Sequence, residues 1–297
     1  EIGWAGTKAS GEAKTEKGIT SYLIKLPVDT EIPRQVKRIT GIGEEDLENA
    51  LSPKKAWKKL HRAAKKTAAA GQNKLCPTVI HFSRFEEPYL RQLQEAYSPR
   101  GPFPFDIICT HQIVKTLLPQ LPRKGLRAAA GYFGHSAPEL RRCASHIEAT
   151  QFTWKKTVSL LAESEDIRTL SELREWLKKA KRAGAINSKS KTRHYPMKAE
   201  ERKGLPDRPG VYHMLRSNGD LLYIGKAKSL KQRVGSYFQK SAKHAERTLE
   251  MLTQAQKLEI TQTGSALEAA ILESDRIKHH APPYNVALRQ GNREIVF

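Results

Sequence analysis

The chain has 297 residues, with 52 Lys and Arg against 31 Asp and Glu and a net charge of +21. That length predicts two domains, each large enough to bury a core, and the charge predicts a polyanionic partner, because Lys and Arg bind phosphates by releasing condensed counterions. No stretch approaches the roughly 18 to 20 apolar residues of a spanning helix, so nucleic acid is expected as partner and a membrane is not.

Cys76, Cys109 and Cys143 are scattered singly. They form neither a disulfide framework nor a CxxC metal site and fit a reducing, cytoplasmic setting. The chain starts at Glu1 without methionine, inside a strand-like run, and is expected to be a fragment missing its amino terminus.

Ile2 to Trp4 and Ser21 to Leu26 suit strands, the second alternating Tyr22, Ile24 and Leu26 with other residues. Pro53 to Ala70 reads as a helix opened by Ser52 and Pro53 and stopped by Gly71. Thr78 to His81 suits a buried strand before a helix from Phe85 to Tyr97, and Phe105 to Cys109 another before a helical Val114 to Leu118. A long amphipathic helix from Pro138 to Ala162 follows. This order predicts an α/β fold with one mixed sheet. Residues 166 to 182 predict a further helix capped by Thr169 or Ser171. From Lys178 to Lys198 there are eight basic residues and no acidic one, which reads equally as a solvated linker or a tether to the DNA backbone.

Near the carboxy terminus, Gly210-Val211-Tyr212 and Tyr223-Ile224-Gly225 flank Ser217-Asn218-Gly219-Asp220. Asn-Gly between apolar runs predicts a hairpin closed by a type I′ turn, with positive φ at both central residues. The two tyrosines then lie on adjacent strands, with Lys226 and Arg233 near both phenols. Cations beside phenols suit a phosphodiester, whose transition state gains negative charge. Leu258 to Thr263 predicts a third strand.

Ser229 opens a short helix that turns Leu230 and Val234 inward and puts Arg233 and Tyr237, four apart, on a different face. Ser265-Ala-Leu-Glu268 reads as a capping box, which gives Glu268 a structural task. Leu267, Ala270, Ile271 and Ser274 are expected to form the buried stripe of the helix that follows, leaving Glu273 as the carboxylate available to a site.

These blocks, together with Leu-Pro-Asp-Arg before Pro209-Gly210 and Pro-Pro-Tyr-Asn285 near the end, are similar in order and register to the GIY-YIG nuclease family of the UvrC and Cho excinuclease type. The resemblance covers residues 205 to 288. It implies a small α/β domain, residues 204–297, with a three-stranded antiparallel sheet. It also implies catalytic positions at Tyr212, Tyr223, Lys226, Arg233, Tyr237, Glu273 and Asn285, with Glu273 binding a single Mg2+ or Mn2+. Tyr212 is the expected general base and Tyr223 its rival, since the residues alone do not distinguish them. Asn285 matches the family's polar contact near the reacting phosphate, or else simply turns the chain after Pro282-Pro283. Lys226, Lys228, Lys231, Arg233 and Lys240 are the expected nucleic-acid contacts.

In the first half, Glu1-Ile2-Gly3-Trp4-Ala5, Ile39-Thr40-Gly41-Ile42 and Val79 to Glu86 resemble the DnaQ-like 3′-5′ exonucleases, typified by the epsilon subunit of DNA polymerase III. The resemblance implies a ribonuclease H-like fold over residues 1–163, followed by a helix and basic linker over 164–203. The expected carboxylates depart from the pattern: the Asp-x-Glu pair would precede Glu1, Glu86 replaces an aspartate, Arg141 falls at the histidine and His146 at the last aspartate, with Glu148 at another helical angle. The leading expectation is therefore a metal-dependent DNA endonuclease of nucleotide excision repair, acting on damaged duplex with damage-recognition or loading proteins. A 3′-5′ exonuclease and a non-catalytic nucleic-acid-binding protein are the alternatives.

Overall fold

The computed structural model describes residues 1–12, 18–136, 140–183, 194–239 and 242–285. In chain order these form β1 (Ile2–Ala5), β2 (Ile19–Tyr22), α1 (Arg34–Thr40), α2 (Pro53–Ala70), β3 (Cys76–Ile80), α3 (Ser83–Tyr97), β4 (Phe105–Cys109), α4 (Thr110–Leu117), α5 (Leu126–Tyr132), α6 (Cys143–Ser164) and α7 (Leu170–Arg182). Then come β5 (Gly210–Leu215), β6 (Leu221–Ala227), α8 (Leu230–Ser236), α9 (Glu246–Gln254), β7 (Lys257–Gln262) and α10 (Ala266–His280). No described helix is long and apolar enough to cross a membrane. The chain divides into two units, Glu1–Leu117 with Glu139–Ser188, and Leu118–Pro138 with Lys189–Phe297. Thus α7 joins the first unit, while α5, from within the first half of the sequence, joins the second.

In the first unit, Ser52 accepts the Lys55 amide at 3.4 Å and Pro53 opens α2, which closes at Gly71. Its inward residues Trp57, Leu60, Ala64 and Ala68 pack with Cys76 and Phe105. The lysines face water. α7 starts with a capping box in which Thr169 accepts the Glu172 amide and Glu172 accepts the Thr169 amide.

The expected single mixed sheet is replaced, among the described residues, by an antiparallel β1-β2 pair and a parallel β3-β4 pair. Both pairs pack on α6, and Ile2 and Trp4 join the cluster around Trp57. Side-chain packing therefore unites them where backbone hydrogen bonds do not. β2 also ends earlier than expected, since Ile24 makes only an isolated bridge to Leu51.

The second unit holds an antiparallel sheet of order β6-β5-β7. On one face Val211 and Ile224 meet Ala269 and Ile277 of α10. On the other, Tyr212 and Met214 meet Leu230 and Val234 of α8 and Met251 and Leu252 of α9. The expected stripe on α10 is corrected here: Leu267 is 72% exposed and Ile271 56%, because Ala269 and Ile277 are the residues that meet the sheet.

The hairpin forms, but without a type I′ turn. Gly219 has φ of 91° while Asn218 is not left-handed, and the Gly219 amide donates to Arg216 O at 3.1 Å. Three residues lie between Arg216 and Asp220, whose backbones pair at 2.9 Å, so a single left-handed glycine suffices to match the strand twist. Asn218 is instead anchored through its side chain, which donates to Gly134 O and Ser136 Oγ, both at 3.1 Å.

That anchor belongs to a brace supplied by 118–136. α5 buries five of its seven residues, Leu126, Ala128, Ala129, Ala130 and Gly131, which explains why no amphipathic period marks it. It packs on α9. The Arg123 amide donates to Thr253 Oγ1 at 3.1 Å, and Gln256 Nε2 donates to Tyr132 O at 2.8 Å. Beneath them Arg216, 3% exposed, donates through Nε and Nη2 to Gln254 Oε1 at 3.1 and 3.0 Å, and through Nη1 to Asp220 Oδ2 at 3.2 Å.

Removing a buried donor leaves its acceptors short of partners, at a cost of about 1–3 kcal/mol. Arg216→Ala is expected to lower the urea midpoint of the second unit followed by circular dichroism. The transition of the first unit, which holds Trp4, Trp57, Trp154 and Trp176, should stay in place by tryptophan fluorescence. An unchanged circular dichroism profile would contradict the brace.

Candidate active site

The site begins with a close approach of backbone and ring. Tyr212 on β5 pairs with Gly225 on β6, and a Cβ at Gly225 would collide with the Tyr212 ring and phenol. The missing side chain lets the phenol lie against β6, fully buried. A buried hydroxyl needs a partner, and Tyr212 Oη finds Tyr237 Oη at 2.9 Å.

Tyr237 follows α8, which Ser229 caps by accepting the Gln232 amide at 3.2 Å. One turn earlier, Arg233 Nη2 donates to Tyr237 Oη at 3.2 Å, and its guanidinium lies 5.0 Å from the ring centroid. Tyr223, on β6, places its ring centroid 6.1 Å from that of Tyr212. Three phenols and one guanidinium thus converge, while Lys226, expected beside the two strand tyrosines, pairs with Glu273.

Their environments separate the two candidate bases. Burial, reinforced by the neighbouring phenols, drives the Tyr212 phenol far above the ordinary tyrosine range. Burial and Tyr237 also raise Tyr223, but only to about 12, with Arg233 pulling it down and Glu273 pushing it up. Burial works against the charge on Arg233, yet the phenols of Tyr212 and Tyr237 outweigh it and hold its pKa above the usual value.

Only one of the two faces open space. Tyr223, Arg233, Ser236 and Tyr237 line a cleft of about 350 Å3 whose other wall is Lys243, His244, Arg247, Thr248 and Tyr284. Tyr212 is not part of that lining, so the expectation that it acts as base is corrected. A phenol that water cannot reach cannot take a proton from it.

The second cluster lies on the free edge of β6. Glu273, with its side chain 13% exposed, accepts the Lys226 amide on Oε1 at 2.9 Å, and Oε2 lies 3.5 Å from Lys226 Nζ. Glu268 has the structural task expected, with a small shift: Ser265 accepts its amide at 3.1 Å, while its carboxylate accepts from Gly264 at 2.6 Å rather than from Ser265. A carboxylate has more lone pairs than the two Lys226 contacts use, so Glu273 fits a hard divalent cation that keeps several waters. Among the described residues no three His, Cys, Asp or Glu side chains cluster to hold a metal, so Glu273 would be a single protein ligand.

Asn285 does not point at the cleft. Its Oδ1 accepts the Ile224 amide at 2.9 Å and its Nδ2 donates to Ile224 O at 2.8 Å, while the Tyr284 amide donates to Leu222 O at 3.1 Å. The expected phosphate contact is therefore corrected: both ends of the amide bond the backbone of β6 beside Tyr223, because an edge strand must pair its outward groups. Lys228 and Lys231 are exposed outside the cleft, and Lys240 lies outside the described residues. The cleft wall on α9 escaped the sequence reading, although Leu249 and Leu252 are spaced as a helix requires.

Residues 208–286 match the family described as the UvrC-like GIY-YIG domain. The second unit carries a UvrC-like GIY-YIG domain. UvrABC system protein C of Psychrobacter sp. (strain PRwf-1) is 53% identical over 87 residues, which cover 29% of this chain and 14% of that protein. Its counterpart in Clostridium botulinum (strain Hall) is 48% identical over 87 residues, with the same shares. The match thus spans 14% of the length of these curated relatives. The solved GIY-YIG N-terminal endonuclease domain of UvrC from Thermotoga maritima, bound to its catalytic divalent cation magnesium, is 38% identical and covers 30% of this chain and 100% of that one, with a TM-score of 0.27. Residues 208–286 of this chain are homologous to the UvrC endonuclease domain, a phosphodiester hydrolase.

Because Asn285 bonds both backbone groups of Ile224, Asn285→Ala is expected to speed hydrogen exchange at the Ile224 amide and lower stability by about 1–3 kcal/mol. Amide exchange read by NMR or mass spectrometry checks this, and unchanged protection at Ile224 would refute it.

Proposed function

We propose that the protein is a metal-dependent DNA endonuclease that hydrolyses one phosphodiester bond, as in the UvrC- or Cho-type incision step of nucleotide excision repair. The observation that carries the reading is the convergence of Tyr223, Tyr237 and Arg233 on one open cleft, with Glu273 in electrostatic reach of the Tyr223 phenol. The endonuclease domain then runs from 204 to 297, and its substrate is damaged duplex presented by damage-recognition or loading proteins.

In this mechanism water attacks phosphorus in line, and Tyr223 removes its proton. Arg233 balances the charge that builds on the phosphate. If Tyr212 donates to Tyr237, then Tyr237 accepts both from it and from Arg233 and keeps its own proton for a phosphate oxygen. Tyr212 is a positioning residue in this scheme, and Asn285 holds the strand that carries Tyr223. Lys226 keeps the Glu273 carboxylate in place. A divalent cation, Mg2+ or Mn2+, held by Glu273 supplies Lewis acidity to the leaving 3′ oxygen.

The first unit is proposed as a DnaQ-like, ribonuclease H-type module that adds affinity for nucleic acid or a partner. Support comes from the parallel β3-β4 pair, each strand running into a helix, and from the sequence blocks around Val79 to Glu86. The Glu1 carboxylate is engaged by the Arg142 side chain and the Cys143 amide. It serves α6 rather than a metal pair.

Glu273→Gln keeps an oxygen for the Lys226 amide while removing the charge. It is expected to retain the melting temperature yet abolish Mg2+-dependent nicking of supercoiled plasmid and of lesion-bearing duplex with its loading proteins. EDTA should do the same to the wild type. Full activity of Glu273→Gln would sink the assignment, and stepwise shortening from the 3′ end would move catalysis to the first unit.

A base with a pKa near 12 is almost wholly protonated at neutral pH, so its active fraction grows about tenfold per pH unit. The cleavage rate is expected to rise with pH from about 7 to about 9. Tyr223→Phe should flatten that rise, whereas Tyr212→Phe should lower the rate and leave the slope. A pH profile of single-turnover rates decides between the two tyrosines.

A further inference from the structure

Besides Tyr223, Arg233 and Tyr237, the cleft is lined by residues at and before the start of α9. Every charged side chain that lines it is basic: Arg233 on one wall, Lys243 and Arg247 on the other, with His244 between them. The hydroxyls of Ser236 and Thr248 add neutral donors, and no carboxylate is among the lining residues. Arg247 is held in advance. Its Nη2 donates to Pro283 O at 2.7 Å and its guanidinium lies 5.5 Å from the Tyr284 ring centroid. His244 is fixed in turn by a 2.8 Å contact to Tyr237 O, so this wall is tied to the residue that meets the reacting phosphate.

A volume of about 350 Å3 falls in the range of pockets that take a small organic molecule, about 300–1,000 Å3, and exceeds the need of a bare phosphate. We propose that Lys243 and Arg247 form a second phosphate subsite, which holds the DNA backbone at a nucleotide adjoining the scissile bond. The proposal rests on the endonuclease reading. It adds a binding role for two residues that touch no reacting atom: they set affinity and the register of the strand, while Tyr223, Arg233 and Glu273 perform the chemistry.

The test separates binding from cleavage. Full-length protein carrying Glu273→Gln binds a short fluorescein-labelled duplex, and anisotropy is followed over a range of salt concentrations. Each lost phosphate contact lowers the salt slope by about one. Lys243→Gln with Arg247→Gln is therefore expected to weaken binding about tenfold on any sequence and to lower the slope by about two, with Arg247→Lys recovering one of the two. In the cleavage-competent chain the same pair should raise KM about tenfold and leave kcat within about twofold. If the double variant is less stable, the exposed Lys243→Gln alone should still lower the slope by about one. Unchanged affinity and slope, or a fall in kcat at constant KM, would overturn the subsite. Failure of the endonuclease reading looks different: the wild type would bind the duplex with the full slope and cut nothing.

Discussion

A phenol sealed from water must make its hydrogen bond inside the protein, and that requirement on Tyr212 organises the second unit. Gly225 leaves room for the ring, and Tyr237 supplies the partner. Because Tyr237 sits at the end of α8, the bond joins the central strand to the helix that carries Arg233. Losing it would expose an unsatisfied polar group in the apolar cluster of Met214, Leu230 and Val234, so the sheet, the helix and the cationic centre stand or fall together.

The second constraint is the free edge of β6. An edge strand presents unpaired amides and carbonyls, and here Tyr284, Asn285 and Glu273 pair those of Leu222, Ile224 and Lys226. The same contacts fix Tyr223, which lies between them on the strand. Glu273 therefore has two tasks, closing the edge and presenting a carboxylate.

Much of the second unit was legible because its signals are local. Ser229 and Ser265 cap their helices, Asn218-Gly219 turns the hairpin, and Leu230 with Val234 point inward at helical spacing. Each depends on side chains within four residues of one another. Leu267 and Ile271 misled for a related reason. Their period is helical, but the side of α10 that meets the sheet is chosen by Val211 and Ile224, which lie on other strands. In the first unit the separate strands were visible, whereas the two ladders into which they pair, both packed on α6, were not.

The sequence by itself determined the caps, the turn and the basic charge, since these follow from residue type and short spacing, whereas the proposed reactive groups came from the family resemblance. Tertiary structure alone decided which tyrosine meets the cleft, because burial is set by everything packed around a ring and Tyr212 and Tyr223 look alike along the chain. It also decided that Asn285 bonds the edge of β6 and that Lys243 and Arg247 line the same cleft as Arg233. Those placements join residues far apart in sequence, so no local pattern contains them.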